Sequence, residues 1–159
     1  MTDMLVRLYA LPDAAPLRER LAGQGVLIRR CNPYEAHILE DWVGRNFSPK
    51  WVSECRIAMA HSPAGCIIAT RQQRIIGFAC FDVTARGFIG PMGVGDDERG
   101  SGIGRALLIT AAEQLRALGY AYGIIGGAGP CAFYEHCVGA WPIPDSSPGI
   151  YADLLPDPR

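Results

Sequence analysis

The spacing of hydrophobic and polar residues changes several times along the first half of the chain and divides it into short elements. Residues 4–11 alternate as a strand does, and residues 13–23 predict a short polar helix. Residues 26–30 predict a second strand. Two amphipathic helices follow, the first capped at Asn32 and the second beginning at Ser48, and each presents one apolar face.

The middle of the chain has the period of strands. Residues 65–70 and 74–83 flank a short polar turn, so we expect a β-hairpin. Residues 87–94 predict a third strand. Pro91 and Gly93 lie inside it, which indicates a bulge or an opened edge because proline donates no backbone hydrogen bond.

The last third of the chain returns to alternating elements. It predicts a long helix over residues 101–118, a strand over residues 120–126 and a short helix that carries Phe133 and Tyr134. The segment after residue 139 predicts one or two short strands that end in Ile-Tyr-Ala-Asp-Leu-Leu. The whole order is typical of an α+β domain, with a mostly antiparallel sheet and helices on its faces.

The same periodicity predicts which helix residues are buried. For the helix after Asn32 they are Ile38, Leu39, Trp42 and Val43. For the long helix they are Ile103, Leu107, Ala111, Leu115 and Leu118.

Composition limits the classes of function. A length of 159 residues suits one domain, and 15 Lys plus Arg against 16 Asp plus Glu give a net charge of −1, which disfavours a nucleic-acid binder. The sequence has no recognisable signal peptide and no apolar stretch of transmembrane length, so we expect a cytoplasmic protein without membrane contact. Because the six cysteines form no Cys-x-x-Cys pair and the three histidines are isolated from one another, we expect reduced core thiols and no metal site.

The segment from Val94 to Gly104 carries the clearest chemistry. A strand ends there, an Arg-Gly-Ser-Gly-Ile-Gly loop turns, and a helix begins. Glycine lets the backbone approach a ligand closely, and the free N–H groups of a helix start favour an anion. With Arg99 and Arg105 adding charge, the segment predicts a phosphate or pyrophosphate site, and the acidic residues 96–98 should face away from it.

Two familiar phosphate motifs do not fit this segment. Gly95 and Gly100 have the glycine spacing of a P-loop, but Ser101 and Gly102 stand where it needs lysine and serine or threonine. A dinucleotide fingerprint needs Gly-x-Gly-x-x-Gly within a parallel βαβ unit. This chain has Gly-x-Gly-x-Gly beside predicted hairpins.

The pattern Arg99-x-x-Gly102-x-Gly104 after a strand resembles the coenzyme A pyrophosphate loop of the GNAT superfamily of N-acetyltransferases. The order of elements over about residues 26–155 is similar to that family's order as well. The resemblance implies one acyltransferase domain over residues 1–159, with residues 1–25 as an N-terminal extension. It also implies acetyl-CoA as the donor, and a sheet that splays between the third strand and the strand after the motif helix.

The resemblance further implies roles for individual residues. The backbone around Met92 and Val94 should bind the pantetheine arm, and the amides from Arg99 to Gly104 should bind the pyrophosphate. The complete expected set for acetyl-CoA is Met92, Gly93, Val94, Arg99, Gly100, Ser101, Gly102, Ile103, Gly104, Arg105, Gly129 and Phe133. Tyr134 falls where the family often has a tyrosine close to the thioester sulfur, so it is the candidate acid.

Two positions depart from the family's pattern. The asparagine that the family often has seven residues before the tyrosine is Gly127 here, and residues 88–94 contain no carboxylate to serve as the family's frequent glutamate base. Glu54 and Asp82 are therefore the candidate bases, and either is also compatible with an ordinary surface carboxylate.

We expect the acceptor to be the primary amine of a small molecule. Phe47, Trp51 and Glu54 should wall its site, because an aromatic surface beside one carboxylate suits an apolar or sugar-like body with a positive amino group. A homodimer is compatible with this interpretation. Two alternatives stay open: a non-catalytic acyl-CoA-binding sensor or scaffold module, and a generic binder of nucleotide phosphates.

Overall fold

The structure, a computed structural model, describes residues 1–158. Its strands are β1 Thr2–Arg7, β2 Leu27–Arg30, β3 Cys66–Arg71, β4 Arg74–Phe81, β5 Phe88–Val94, β6 Tyr122–Ala128 and β7 Trp141–Pro142. Its helices are α1 Ala15–Gly23, α2 Ala36–Asn46, α3 Pro49–Ala60, α4 Ile103–Ala117 and α5 Cys131–Val138. Within residues 1–158, none of the helices has the length and apolar character needed to cross a membrane.

The strands form one sheet in the order β2-β3-β4-β5-β6-β1-β7. Neighbouring strands run antiparallel except β5 and β6, which are parallel. These two strands pair only where Phe88 lies beside Ile124 and Ile89 beside Ile125, so their remaining residues diverge. The predicted α+β class, the mostly antiparallel sheet and the splay between these two strands are confirmed.

Helices cover both faces of the sheet and create two cores. On one face, α4 packs with β1 and with parts of β3, β4, β5 and β6, and eight of its residues are buried. On the other face, α2 and α3 enclose a smaller cluster around Phe78, which includes four buried free cysteines, Cys31, Cys55, Cys66 and Cys80.

For two residues, the prediction that they are buried in the core was wrong. Leu118 is 60% exposed because α4 ends at Ala117 and the chain reverses at Gly119, whose φ is +102°, before it enters β6. Ile38 is 48% exposed, because α2 turns Leu39 and Val43 to the core and Ile38 to the outside. Periodicity placed both helices correctly and misjudged the width of their apolar faces.

The two ends of the chain meet beside β6. The N-terminal strand β1 lies inside the sheet between β6 and β7, and its Met4 and Val6 are fully buried. After the two residues of β7, the tail forms a 3₁₀ turn over Gly149–Tyr151, so the strand predicted to end at residue 155 was wrong. Prolines at 142, 144 and 148 remove ladder donors from this segment, which favours an irregular path.

Candidate active site

The start of α4 presents free backbone donors. Gly102 caps the helix at φ +92°, and Gly100 has φ +80°, conformations that favour glycine. Within residues 1–158, the N–H groups of residues 100–105 make no hydrogen bond, and the first helical bond runs from Ala106 N to Gly102 O at 3.0 Å. Several donors and the positive end of the helix dipole therefore point to one place, which is the geometry of an anion site.

Charged side chains surround this loop. Arg105 carries a buried Nε that has no hydrogen-bond partner among residues 1–158. Arg20, from α1, donates from Nη2 to Ser101 O at 3.2 Å and so packs against the outside of the loop. Glu98 lies at the edge of the cavity, contrary to the expectation for the acidic turn, and Arg71 binds both of its carboxylate oxygens at 2.6 and 2.7 Å. That ion pair offsets the repulsion that Glu98 would exert on a phosphate.

A cavity of about 1150 Å³ extends from this loop through the splay between β5 and β6. Most of the residues that the sequence predicts for acetyl-CoA line it: Met92, Gly93, Val94, Arg99, Gly100, Gly102, Gly104, Arg105, Gly129 and Phe133. Two of them do not. The Ser101 hydroxyl donates to Glu98 O at 2.7 Å, and Ile103 is 1% exposed in the core.

The backbone of β5 is divided between its neighbour β4 and the cavity. Gly95 N donates to Ile76 O at 2.9 Å, so Gly95 and, two residues earlier, Gly93 face β4. In an antiparallel pair the alternate residues face the other way, so Met92 and Val94 turn their N–H and C=O groups towards the splay. The diverging strands thus leave two residues of β5 free to bond an extended ligand.

Tyr134 lines the same cavity from α5 and is half-buried. Burial raises the pKa of its phenol, with smaller contributions from Cys131 and Cys137. The ring of the preceding residue, Phe133, packs edge-on against Tyr134 and lies beside Gly104, where an added Cβ would be 3.5 Å from Phe133 Cζ. The contact between Phe133 and Gly104 holds helix α5 against the start of α4. The raised pKa keeps the Tyr134 phenol protonated over a wide pH range.

The opposite end of the cavity is lined by α3. Ser48 caps this helix, since its Oγ accepts a hydrogen bond from Trp51 N at 3.3 Å, and Trp51 and Glu54 follow on the side that faces the cavity. The Thr84 hydroxyl, from the turn between β4 and β5, donates to Glu54 Oε1. The structure thus brings a carboxylate, an indole and a hydroxyl together beyond the splay.

Two residues predicted for the base or the acceptor wall, Asp82 and Phe47, also lie outside the cavity lining. Asp82 holds the β4–β5 turn, because its Oδ1 accepts hydrogen bonds from Gly87 N at 2.6 Å and from the Tyr120 hydroxyl at 2.9 Å. Phe47 packs between Trp42 and Trp51, with ring centroids 5.6 and 4.9 Å away, and covers Gly93 where any Cβ would overlap its ring. Among residues 1–158, no three histidine, cysteine, aspartate or glutamate side chains are grouped to hold a metal ion.

Comparison with known proteins identifies this architecture. The sequence model of the Acetyltransferase (GNAT) family matches residues 31–139, more than two thirds of the chain. The chain belongs to the GNAT acetyltransferase family. A search of curated protein sequences found no significant match.

Solved GNAT structures share the fold at low sequence identity. A GCN5-related glucosamine N-acetyltransferase region of a fungal multi-domain β-N-acetylglucosaminidase has a TM-score of 0.73 and 19% identity, over 89% of this chain and 20% of that one. A GCN5-related N-acetyltransferase from Sphaerobacter thermophilus has a TM-score of 0.69 and 21% identity, over 89% and 48%. A GNAT acetyltransferase from Brucella melitensis, in complex with acetyl-CoA, has a TM-score of 0.53 and 22% identity, over 70% and 80%. The chain thus spans about a fifth and about half of the first two proteins.

The GNAT resemblance did not find every residue at the end of the cavity that Glu54 lines. Thr84, Phe88, Gly126 and Tyr151 line the cavity there, and Met1 and Leu154 lie at the same end. No local motif marks them, because they come from the β4–β5 turn, from β5, from β6 and from the two chain ends. Tyr151 would have drawn attention only if the sequence had predicted a turn in the tail, where we expected a strand.

Proposed function

We propose that this GNAT protein transfers an acetyl group from acetyl-CoA to the primary amine of a small molecule. The observation that carries the proposal is the set of free N–H groups of residues 100–105 at one end of a cavity that has Tyr134 and Glu54 farther along. One end suits a pyrophosphate and the other suits an amine, and the splay of β5 and β6 connects them.

The residues at the α4 end fit acetyl-CoA. Arg105 has a buried Nε with no partner among residues 1–158, and a Cβ added at Gly100 would meet no atom within 4 Å, so the loop offers both a charge and open space. The free groups of Met92 and Val94 match the amides of a pantetheine arm. When bound there, acetyl-CoA supplies a thioester carbonyl that an amine can attack.

The residues around the splay have separate tasks in this proposal. The Met92 N–H can donate to a developing oxyanion, which preorganised backbone donors stabilise well. The Tyr134 phenol holds a proton that it can give to the leaving sulfur. Glu54, directly or through water, takes the proton that an ammonium must lose before its nitrogen can react. Asp82 is not proposed as the base because its carboxylate holds the turn outside the cavity.

A small acceptor suits the charge and shape of the site. The chain carries a net charge of −1 and has no basic stripe for a nucleic acid. Trp51, Phe88 and Tyr151 give the acceptor end an aromatic surface beside Glu54, which suits an amine with an apolar or sugar-like body.

The direct test is an acceptor screen with acetyl-CoA, read by release of free thiol. Glucosamine is included because the fungal relative is described as a glucosamine N-acetyltransferase, together with alkyl and aryl amines and short peptides. We expect turnover with at least one small amine. Binding of acetyl-CoA without turnover of any acceptor would favour a non-catalytic module, and turnover of peptides alone would overturn the small-molecule assignment.

Glu54→Gln tests the base. The amide keeps the hydrogen bond from Thr84 and removes the charge, so the KM for the amine should rise, kcat should fall by about 100-fold, and higher pH should partly restore kcat by supplying neutral amine. Glu19→Gln, on the exposed side of α1, is the matched control. Wild-type kinetics in Glu54→Gln would remove Glu54 from the mechanism.

A further inference from the structure

Two glycines of β6, Gly126 and Gly127, leave room for the side chain of Tyr151. Its hydroxyl lies where a Cβ on Gly126 would be, and its ring lies 3.6 Å from the corresponding position on Gly127. The Phe88 ring lies 2.8 Å from the position that a Cβ on Gly126 would take. Any larger residue at 126 would displace the phenol, so Gly126 and Tyr151 form one arrangement.

The phenol of Tyr151 faces the cavity as a neutral group. It lines the cavity together with Glu54. Burial raises the pKa of Tyr151, and the carboxylates of Asp3 and Glu54 raise it further. An uncharged aromatic ring with a hydroxyl beside carboxylates is a surface that attracts an ammonium group.

The N-terminal strand fixes the segment that carries Tyr151. Ile143 N donates to Asp3 O at 2.8 Å, and Asp3 N donates to Ser146 Oγ at 2.9 Å. The Asp3 side chain is only 8% exposed, and its Oδ1 accepts a hydrogen bond from Gly127 N at 2.8 Å. Asp3 therefore binds the tail and the end of β6 at once, and so sets the distance between Tyr151 and Gly126.

We propose that Tyr151 is a specificity-determining residue that forms the wall of the acceptor site opposite Glu54, and that Asp3 is the positioning residue that holds this wall in place. The phenol packs on the apolar body of the amine and narrows the site, so compact amines are preferred to bulky ones. This inference rests on the proposed function and names residues that select the acceptor.

The test compares Tyr151→Ala and Tyr151→Phe with Tyr122→Ala, which changes an exposed tyrosine of β6 outside the cavity lining. Acceptors are propylamine, phenethylamine and tryptamine, each measured by turnover and by calorimetric binding. In Tyr151→Ala we expect the KM for phenethylamine to rise about tenfold and kcat/KM for tryptamine relative to phenethylamine to rise about fivefold, with the KM for acetyl-CoA unchanged. Tyr151→Phe should keep the size preference, since the ring remains.

Two further variants test the positioning. Gly126→Ala should reproduce the change in acceptor preference, and combining it with Tyr151→Ala should add little, because both act on one contact. Asp3→Ala should also reproduce it, whereas Asp3→Asn should retain the wild-type preference because its Oδ1 still accepts from Gly127 N.

The outcomes separate this inference from the proposed function. Wild-type protein that acetylates no amine contradicts the proposed function, and unaltered binding of phenethylamine in Tyr151→Ala then contradicts this inference as well. Acetylation that proceeds with an unchanged ranking of the three amines in Tyr151→Ala contradicts the role of Tyr151 alone. Equal effects of Asp3→Ala and Asp3→Asn contradict the positioning role of Asp3.

Discussion

The two ends of the cavity are lined by different kinds of chemical group. At the α4 end, the free groups are backbone N–H donors from consecutive residues 100–105, and the side chains of Arg99 and Arg105 line the cavity beside them. At the proposed acceptor end, the lining includes side chains from five separate places: the N-terminus, α3, the β4–β5 turn, the start of β5 and the tail after residue 146. The groups at the α4 end are consecutive in sequence, whereas those at the other end come together only when the chain folds.

This difference suggests how each end can vary. A backbone site needs glycines and a helix start, so it tolerates many side chains and is suited to the part of a ligand that is always the same. The proposed acceptor site, which Trp51, Glu54 and Tyr151 line, can change with any one of these side chains. The common donor and the particular acceptor therefore have separate structural bases in one cavity.

The largest expected effect is on the α4 end. Gly102→Val places a branched side chain at φ +92°, with a Cβ 2.7 Å from Arg20 Nη2 and 3.0 Å from Leu17 Cδ1. The clash with α1 must shift the loop and displace the N–H donors at the helix start, so affinity for acetyl-CoA should fall about 100-fold, or ~2.7 kcal/mol. Calorimetric titration with acetyl-CoA measures it.

A matched control lies at the other end of the same helix. Gly119 has φ +102° and no atom within 4 Å of an added Cβ, so Gly119→Val introduces the same backbone strain of about 1–2 kcal/mol far from the cavity. It should lower the melting temperature and leave acetyl-CoA affinity unchanged. Equal affinity losses in the two variants would mean that backbone strain alone, and not the displaced loop, weakens the binding of acetyl-CoA.

The same division explains what the sequence could predict. The capping residue Ser48, the hairpin of β3 and β4 and the loop before α4 depend on neighbours in sequence, and their prediction from spacing is confirmed. Asp82 and Phe47 have suitable chemistry for the acceptor site, yet hydrogen bonds to Gly87 and packing on Gly93 commit them elsewhere. Such commitments are tertiary, so residue type and spacing do not reveal them.

A smaller effect is expected where the two ends meet. Tyr134→Phe removes the phenolic proton and keeps the packing with Phe133, so kcat should fall about tenfold while affinity for acetyl-CoA stays the same. The loss is modest because solvent can replace the acid and a thiolate is a fair leaving group. Pre-steady-state measurement of the acetyl-transfer step provides the value.

The control for this variant is Tyr122→Phe, which removes an exposed hydroxyl outside the cavity lining and should behave as wild type. Because burial raises the pKa of Tyr134, the wild-type phenol should remain protonated, and kcat should not decline between neutral pH and pH 9. An unchanged transfer rate in Tyr134→Phe would make Tyr134 a packing residue of α5.

The smallest effect is expected from the ion pair between Arg29 and Glu35, which lies at neither end of the cavity. Arg29 donates two hydrogen bonds to Glu35 at 2.8 and 2.7 Å and, with the backbone N–H of Asn32, lowers the pKa of Glu35 from 4.5 to about 2. A carboxylate with a lowered pKa stabilises the fold above its unfolded value and loses that contribution as pH falls. At pH 7, Glu35→Gln should therefore lower the free energy of unfolding by about 1–2 kcal/mol, since the pair is partly exposed.

The pH dependence distinguishes this pair from a simple capping contact. Glutamine can still accept the hydrogen bond that Asn32 N donates at 2.8 Å, so only the charge is lost. Urea unfolding of wild type and Glu35→Gln should differ fully above pH 4.5 and converge as pH falls towards 2, and Arg29→Gln should show the same convergence. Acetyl-CoA affinity and acceptor preference should be unchanged in both variants. A difference in the free energy of unfolding that persists at pH 2 would assign the loss to packing. A change in acetyl-CoA affinity or in acceptor preference would show that this ion pair affects one end of the cavity.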